Sequence, residues 1–314
     1  MRSCIVYFSQ TGNTERIAKR VQAGVIAAAG NCDLLELRDA DPKRLHKYDL
    51  IGIGSPVFRW EPLNVSKFVN EMWSVGGMHA FTFCTHGTIP EMFFYSIVRK
   101  MKRRGLVVIG WDHWYGDCFL PWHPDPYPTA GHPDEIDLAE AEAFGRQMVE
   151  RSLRIREGET GLIPKAPRKP PKDPNDTPEL RATVKDTIEE PDTFKFHPEL
   201  CRYPRCRLCM DNCLIYNIDL SLDPPKLPGQ DCQPHCCFCT LLCPTGAIEI
   251  DEFVASQAKA FYLTTTMYAM PNLERAEERG EFRRLIPKEE VGWDSYFYQV
   301  HNKHPKFRKG KGAV

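Results

Sequence analysis

Nine of the thirteen cysteines in this 314-residue chain fall between Cys201 and Cys243, and their intervals are those of metal ligands. Cys206-x2-Cys209-x3-Cys213 repeats the spacing of Cys236-x2-Cys239-x3-Cys243. Each run is preceded by one more cysteine: Cys201, with four residues before Cys206, and Cys232, with three before Cys236. Disulfide frameworks belong to small secreted chains whose cysteines are spread throughout. Cysteines concentrated in one segment of a long chain point to thiolate ligation. Eight of them can make two four-thiolate sites, leaving Cys237 over. Structural zinc is one reading, but zinc ribbons use paired C-x2-C hooks set well apart. Three closely spaced thiolates with a distant fourth suit an iron–sulfur centre. Cys4, Cys32, Cys84 and Cys118 are scattered and read as small buried apolar residues.

A second chemical feature lies at the other end of the chain. In "YFSQTGNTERIAKRV", Ser9, Gln10, Thr11, Gly12, Asn13 and Thr14 follow a strand and open a helix. Backbone N–H groups at a helix start are unpaired and the helix dipole is positive there, so the position attracts an anion. Hydroxyls at 9, 11 and 14 can donate to phosphate oxygens, and Gly12 permits a tight turn. The loop has no lysine, so it is not the GxxxxGK[ST] nucleotide loop. It suits a single phosphate monoester. The plain alternative is helix capping, which needs one such residue rather than five around a glycine.

The elements that position this loop alternate strand and helix. Strands are expected at 3–8, 33–37, 49–54, 80–84 and 106–110. Helices are expected at 14–29, 65–73, 92–103 and 136–153, from their periodicity. Such alternation implies a parallel sheet covered on both faces, a doubly wound α/β domain. Ligands in such folds sit beyond the carboxyl ends of the strands. Two loops there are candidates to flank a ring: Ser55, Pro56, Val57 and Phe58 on one side, with Phe58 or Trp60 able to stack, and Thr85, His86 and Gly87 on the other. The stretch 111–135 reads as a long loop with six aromatics, a flap either over that site or toward a second domain.

The segment 155–192 is expected to be an extended proline-rich linker, with six prolines between Pro164 and Pro178. The cysteine segment, 193–252, follows. The remainder, 253–314, holds a charged helical stretch at 272–285, then Trp293, Tyr296, Phe297 and Tyr298, then five basic residues from Lys303 to Lys311. Aromatics beside a basic rim suit a docking element; the alternative is a tail wrapped on its own domain. A net charge of −1 excludes a broad basic surface for nucleic acid. No apolar run is long enough to span a bilayer, and the N-terminus turns polar too soon for a secretory signal. A cytoplasmic location is expected.

Two resemblances complete the reading. "SQTGNTE" is similar to the FMN-phosphate loop of flavodoxins. The likeness implies a five-stranded flavodoxin-like domain over 1–154, with FMN held by the loops named above. The cysteine runs, ending in "CPTGAIEI", resemble bacterial ferredoxins with two [4Fe–4S] clusters, in which the last cysteine of each run ligates the other cluster. That likeness implies a small α+β ferredoxin-like domain over 193–252. One cluster would lie on Cys201, Cys206, Cys209 and Cys243, the other on Cys232, Cys236, Cys239 and Cys213. The first intervals are longer than the family's, the first run lacks its proline, and Cys237 is the substitute for Cys232. Arg202, Arg205 and Arg207 interleave the first run while Asp231 precedes the second, which predicts the higher potential for the first cluster.

The whole therefore resembles a flavodoxin–ferredoxin fusion of anaerobes. That implies an electron carrier passing low-potential electrons between FMN and a redox protein or multisubunit oxidoreductase complex, without a membrane span. No G-x-G-x-x-G fingerprint for NAD is present. The alternative is a ferredoxin-fed flavin reductase of a quinone or other small acceptor, with His86, His113 or Tyr115 supplying a proton. A redox sensor would need an output domain that the sequence does not display.

Overall fold

The computed structural model describes residues 1–74, 76–118, 123–173, 176–187, 195–213, 215–227, 238–249 and 270–292. The chain divides into two compact units, 1–117 with 131–171, and 118–130 with 172–314.

In the first unit, five parallel strands lie in the order β2-β1-β3-β4-β5: β1 Ser3–Tyr7, β2 Asp33–Glu36, β3 Leu50–Pro56, β4 His79–His86 and β5 Val107–Tyr115. Four helices cover them: α1 Asn13–Ala29, α2 Leu63–Glu71, α3 Phe93–Arg103 and α4 Glu135–Arg156. This is the expected doubly wound, flavodoxin-like sheet. Alternate residues of β1 serve opposite faces. Cys4 and Val6 join Val65, Phe68, Phe93, Ile97 and Met101 of α2 and α3, while Ile5 and Tyr7 join Ile17, Val21, Phe144 and Met148 of α1 and α4. Burial on both faces is why these strands read as unbroken apolar runs.

α1 and α4 cross closely. A Cβ on Gly24 would lie 1.9 Å from the Glu142 carbonyl oxygen, and one on Gly145 2.2 Å from the Val21 carbonyl oxygen. α4 begins with a reciprocal capping box: the Asp134 carboxylate accepts from the backbone of Ile136 and Asp137, and the Asp137 carboxylate accepts from Asp134 N–H.

β5 runs five residues further than expected, through "WDHWY", so the connection begins at Gly116 rather than Trp111. Trp114 and Tyr115 stay paired because β4 also continues, with Thr85 opposite Trp114 and His86 opposite Tyr115. Of the connection, Cys118–Ala130 belongs to the second unit. Cys4, Cys32 and Cys84 are buried as expected; Cys118 is partly exposed.

In the second unit, the stretch expected to be an extended linker contains a helix, α5 Pro178–Thr187. Proline at its first position lacks only an N–H that would be unpaired anyway, and the Thr177 hydroxyl accepts from Leu180 N–H. Strand β6, Lys195–Phe196, pairs antiparallel with β7, Ile248–Glu249. Short helices α6 Leu208–Asp211 and α7 Phe238–Leu242 lie within the cysteine runs, and α8 Met270–Glu278 follows. The helical part of the stretch 272–285 ends at Glu278, where Arg279 and Gly280 turn. Asp125 N–H donates to the Gly292 carbonyl at 3.3 Å, and Gly292 N–H donates to the Pro126 carbonyl at 3.1 Å. Among the described residues no helix is long and apolar enough to cross a membrane. Cys232, Cys236 and Cys237, and Trp293, Tyr296, Phe297, Tyr298 and the basic residues after them, lie outside the described residues.

Candidate functional site

The carboxyl ends of β1, β3, β4 and β5 converge on one edge of the sheet, and backbone bonds lace their loops together. Phe8 N–H donates to Gly54 O, Val57 N–H to Thr85 O, Met92 N–H to Arg59 O and Gly116 N–H to His86 O, each at 3.0 Å. None of these ties is local, so none was legible in the sequence.

At the start of α1, Gly12 takes φ +93°, the left-handed region open to glycine, and a Cβ there would meet nothing within 4 Å. No side chain caps this helix, in contrast to α4. Ser9 Oγ instead accepts from Gly12 N–H at 3.1 Å, tightening the loop. Gln10 Nε2 is buried without a hydrogen-bond partner. An uncapped helix start, open space beside a glycine and an orphaned amide donor together form an anion cradle.

Two of the proposed phosphate-loop side chains are committed elsewhere. Asn13 Nδ2 donates to Asp117 O at 2.7 Å, anchoring the end of β5. The hydroxyls of Thr14 and Thr85 bond each other at 2.7 Å, both buried, joining the first turn of α1 to the end of β4. Ser55 is fully buried and its hydroxyl donates to Pro56 O. Pro56, Val57, Phe58 and Gly87 are half-buried at the rim. Trp60 is exposed, with the Arg59 guanidinium 5.2 Å from its ring centre.

Both rim loops hold a non-glycine residue with positive φ, Arg59 at +64° and Glu91 at +40°, and the two side chains approach to 3.8 Å. Such backbone costs of order 1–3 kcal/mol per residue and persists where surroundings over-determine it, typically at binding sites. The loop after β3 is further held by Glu61, whose buried carboxylate pairs with Lys100 and accepts from Ser96 Oγ at 3.1 Å. Neither Arg59, Glu91 nor Glu61 had a sequence signal beyond position in the loops.

His86, the last residue of β4, is 5% exposed, and its Nε2 lies 2.8 Å from His113 Nδ1. Burial, with the His113 charge adding, holds its pKa well below the ordinary histidine value. His113 is exposed. The one group among the described residues whose histidine, cysteine or carboxylate ligand atoms all lie within 4.8 Å is His132, Asp134 and Asp137. It is accounted for by the capping box of α4, with His132 Nδ1 2.6 Å from Asp137 Oδ2.

In the second unit, Cys201, Cys206, Cys209 and Cys243 line one cavity with Phe196, Leu220, Pro244 and Ile248. These are the four cysteines expected to share a site, drawn from both runs. Burial pushes the Cys209 thiol up to about 12, with Cys243, Cys201 and Cys206 adding to the shift. No three of these thiols lie within 4.8 Å of one another. Tetrahedral zinc, with Zn–S of about 2.3 Å, would bring its sulfurs to roughly 3.8 Å.

The two runs are related by a repeat of geometry at an offset of thirty residues. Cys213 N–H donates to Met210 O as Cys243 N–H does to Thr240 O. The carbonyl of Cys213 accepts from Tyr216 N–H as that of Cys243 does from Gly246 N–H. Cys213 Sγ accepts from Asn217 N–H at 3.3 Å, and Cys243 Sγ from Ala247 N–H at 3.1 Å. Tyr216 and Gly246 both have positive φ, +52° and +67°. Ile218 and Ile248, next in each run, are both buried. The second expected set is visible only in Cys213 and Cys239.

A model of the flavodoxin domain matches residues 4–92. An uncharacterized protein of Methanocaldococcus jannaschii is 30% identical over 158 residues, 48% of this chain and 99% of that protein. Among solved structures, a flavodoxin from the domain Archaea is 20% identical over 49% of this chain and 99% of its own, with a TM-score of 0.39. The flavodiiron protein from Giardia intestinalis is 18% identical over 52% of this chain and 38% of its own, also with a TM-score of 0.39.

Proposed function

From the premise that the chain belongs, through its first half, to the flavodoxin-domain family, we propose that it is an electron-transfer protein carrying FMN and two [4Fe–4S] clusters, and that it passes low-potential electrons between the flavin and a partner redox protein or oxidoreductase complex. The fold implies FMN. The loop at Gly12 fits its phosphate: the first backbone N–H groups of α1 have no competing side-chain cap, and the nearby Gln10 amide has no partner within the chain. Pro56 to Phe58 and Thr85 to Gly87 would flank the ring. FMN accepts electrons singly or in pairs, which lets it join one-electron carriers to two-electron ones.

The observation that carries the iron–sulfur half is the gathering of Cys201, Cys206, Cys209 and Cys243 around one cavity, with the last cysteine of the second run beside three of the first. No three of their sulfurs lie as close together as a single zinc ion would hold them. Backbone N–H groups of Tyr203, Asn217 and Ala247 point at cysteine sulfurs at 3.1–3.4 Å, which stabilises thiolate charge. A bound cluster's positive iron would reverse the cost that burial places on Cys209 as a thiolate. The repeat at Cys213 and Cys243 supports a second, equivalent cluster with Cys239, Cys213, Cys232 and Cys236 as its ligands. Arg202 lines the first cavity, so that cluster is the one of higher potential; Arg207 is partly offset by Asp211 at 3.5 Å.

The test is anaerobic purification of the full chain with assay of iron, sulfide and FMN. We expect about eight irons and eight sulfides per FMN, the content of two [4Fe–4S] clusters. Cys209→Ser should halve the iron, and an EPR-monitored titration should reduce the clusters in two steps. Stoichiometric zinc without sulfide would refute the cluster assignment. Protein without FMN would refute the adapter role. Steady turnover of a quinone by the reduced protein would favour a flavin reductase instead.

A further inference from the structure

Cys213 and Cys243 close the two runs, and the turns after them match bond for bond except at one place. Each carbonyl accepts from the N–H three residues on, Tyr216 at 3.2 Å and Gly246 at 3.4 Å. Each sulfur accepts from the N–H four residues on, Asn217 at 3.3 Å and Ala247 at 3.1 Å. Cys243 Sγ has one neighbour more: the Thr245 hydroxyl oxygen lies 3.6 Å from it. At the offset of thirty residues the counterpart of Thr245 is Ile215, which has no hydroxyl. The two sulfurs therefore share a backbone setting and differ by one polar group.

A free thiol and a hydroxyl can each donate to the other. A metal-bound cysteine has lost its proton, so beside it the hydroxyl is the only donor of the two. Thr245 is placed for that role. It is half-buried, it sits inside the turn closed by Gly246 N–H, and it lines the same cavity as Cys201, Cys206, Cys209 and Cys243. The plain alternative for a threonine in a turn is a bond from its hydroxyl to nearby backbone. Among the described residues the Thr245 hydroxyl makes no such bond; its partner is the sulfur.

We propose that the Thr245 hydroxyl donates to Cys243 Sγ when that sulfur ligates the first cluster, and thereby raises the potential of that cluster above that of the one Cys213 serves. This rests on the iron–sulfur reading above. Reduction brings in one electron and breaks no bond, and part of the added negative charge falls on the ligating sulfurs. A hydrogen bond strengthens as its acceptor gains charge, so the donor favours the reduced state. Hydrogen bonds to the sulfurs are one of the levers on cluster potential. Ala247 N–H and Asn217 N–H act alike at the two sulfurs and largely cancel in the comparison, whereas the hydroxyl acts at one sulfur only. It works in the same sense as Arg202 beside that cavity. Thr245 is thus a tuning residue, bearing on the cluster through a ligand's sulfur.

The experiment uses the full chain, purified anaerobically, with iron and sulfide assayed and the clusters followed by EPR during a dithionite titration. Thr245→Val keeps the side chain's shape and removes the hydroxyl. It should retain full iron and sulfide while the reduction equilibrium of the higher-potential cluster moves about tenfold toward the oxidised form, roughly 59 mV for a one-electron couple. The other cluster should not move. Thr245→Ala, also without a hydroxyl but smaller, should shift the same cluster in the same direction, which separates the hydroxyl from any misfit of valine. Thr245→Ser restores the donor and should stay near wild type. Unmoved potentials in the valine and alanine variants with full sulfide would overturn the proposal. Equal shifts of both clusters, or a serine variant displaced as far as valine, would overturn it too, since packing rather than the hydroxyl would then be responsible. Wild-type protein without sulfide would instead remove the iron–sulfur reading, and the role of Thr245 with it.

Discussion

Replacing Thr85 by valine should cost more than replacing both Thr85 and Thr14. Their hydroxyls bond at 2.7 Å, and the residues are 4% and 1% exposed. Valine at 85 keeps the volume but leaves the Thr14 hydroxyl buried without its partner. A buried hydroxyl deprived in this way costs about 1–3 kcal/mol, whereas removing both partners together is close to neutral. Thr85→Val and Thr14→Val should therefore each destabilise the first unit by about 2 kcal/mol. The double variant should recover most of the loss, giving a coupling energy of opposite sign that approaches the sum of the two single costs. Tryptophan fluorescence in urea is a suitable reading of the full chain, since Trp60, Trp73, Trp111 and Trp114 all lie in the first unit. A second measurement ties the pair to the anion cradle. In Thr85→Val the freed Thr14 hydroxyl gains a partner when a phosphate binds, so FMN should stabilise that variant more than Thr14→Val. Additive costs in the cycle would refute the reasoning about the pair. Equal stabilisation by FMN would refute the placement of Thr14 at the cradle.

Gly24→Ala should destabilise by about 3 kcal/mol or more in a thermal melt, because its Cβ would lie 1.9 Å from a backbone oxygen of α4. Gly110→Ala should cost less than half as much, since its Cβ meets the movable sulfur and methyl of Met148. Tyr216→Gly should raise stability by about 1 kcal/mol by relieving φ +52°, and Gly246→Ala should lower it by a similar amount at φ +67°; opposite signs in chemical denaturation check this. For pH, burial lowers His79 and His86 relative to the unfolded chain. The unfolded state then binds the extra protons, so stability is full above about pH 6.5 and falls below it, by up to roughly 1.4 kcal/mol per pH unit per histidine. Urea midpoints of FMN-free protein should decline from pH 7 to 5, and His79→Gln should flatten part of that slope.

The sheet was legible because its strands are buried on both faces. "SCIVY" and "LIGIG" have no polar alternation to confuse with a surface strand, and glycine-containing polar loops bound them. The end of β5, by contrast, is not legible in its own residues. "WDHWY" alternates polar and aromatic residues, so its pairing is set by β4 alongside rather than by its own composition. The helix at Pro178–Thr187 did leave a sign, a threonine followed by proline at the first helical position. It was hidden by the proline density upstream, which argued for an extended chain throughout.

At the sites, what could be read was whatever lies close in sequence. The anion cradle needs only a turn and a helix start, so "SQTGN" displays it in full. The fastening of that cradle is carried by Asp117 on Asn13 and Thr85 on Thr14, 104 and 71 residues away. The cysteine sets fall between these cases. In the first set, Cys201, Cys206 and Cys209 lie close in sequence, while the fourth, Cys243, comes from the other run. The thirty-residue repeat is the arrangement that a reciprocal exchange would require. If one turn after Cys213 and another after Cys243 share the same bonds, a symmetric pairing that gives Cys243 to the first set gives Cys213 to the second. Tyr216 is then the informative exception. Its twin, Gly246, has the residue type that a left-handed turn favours, whereas tyrosine there carries strain that the repeat alone does not require. The tyrosine side chain is exposed, three residues after Cys213. If its role is contact with a redox partner, Tyr216→Gly should be more stable and yet slower at transferring electrons to that partner.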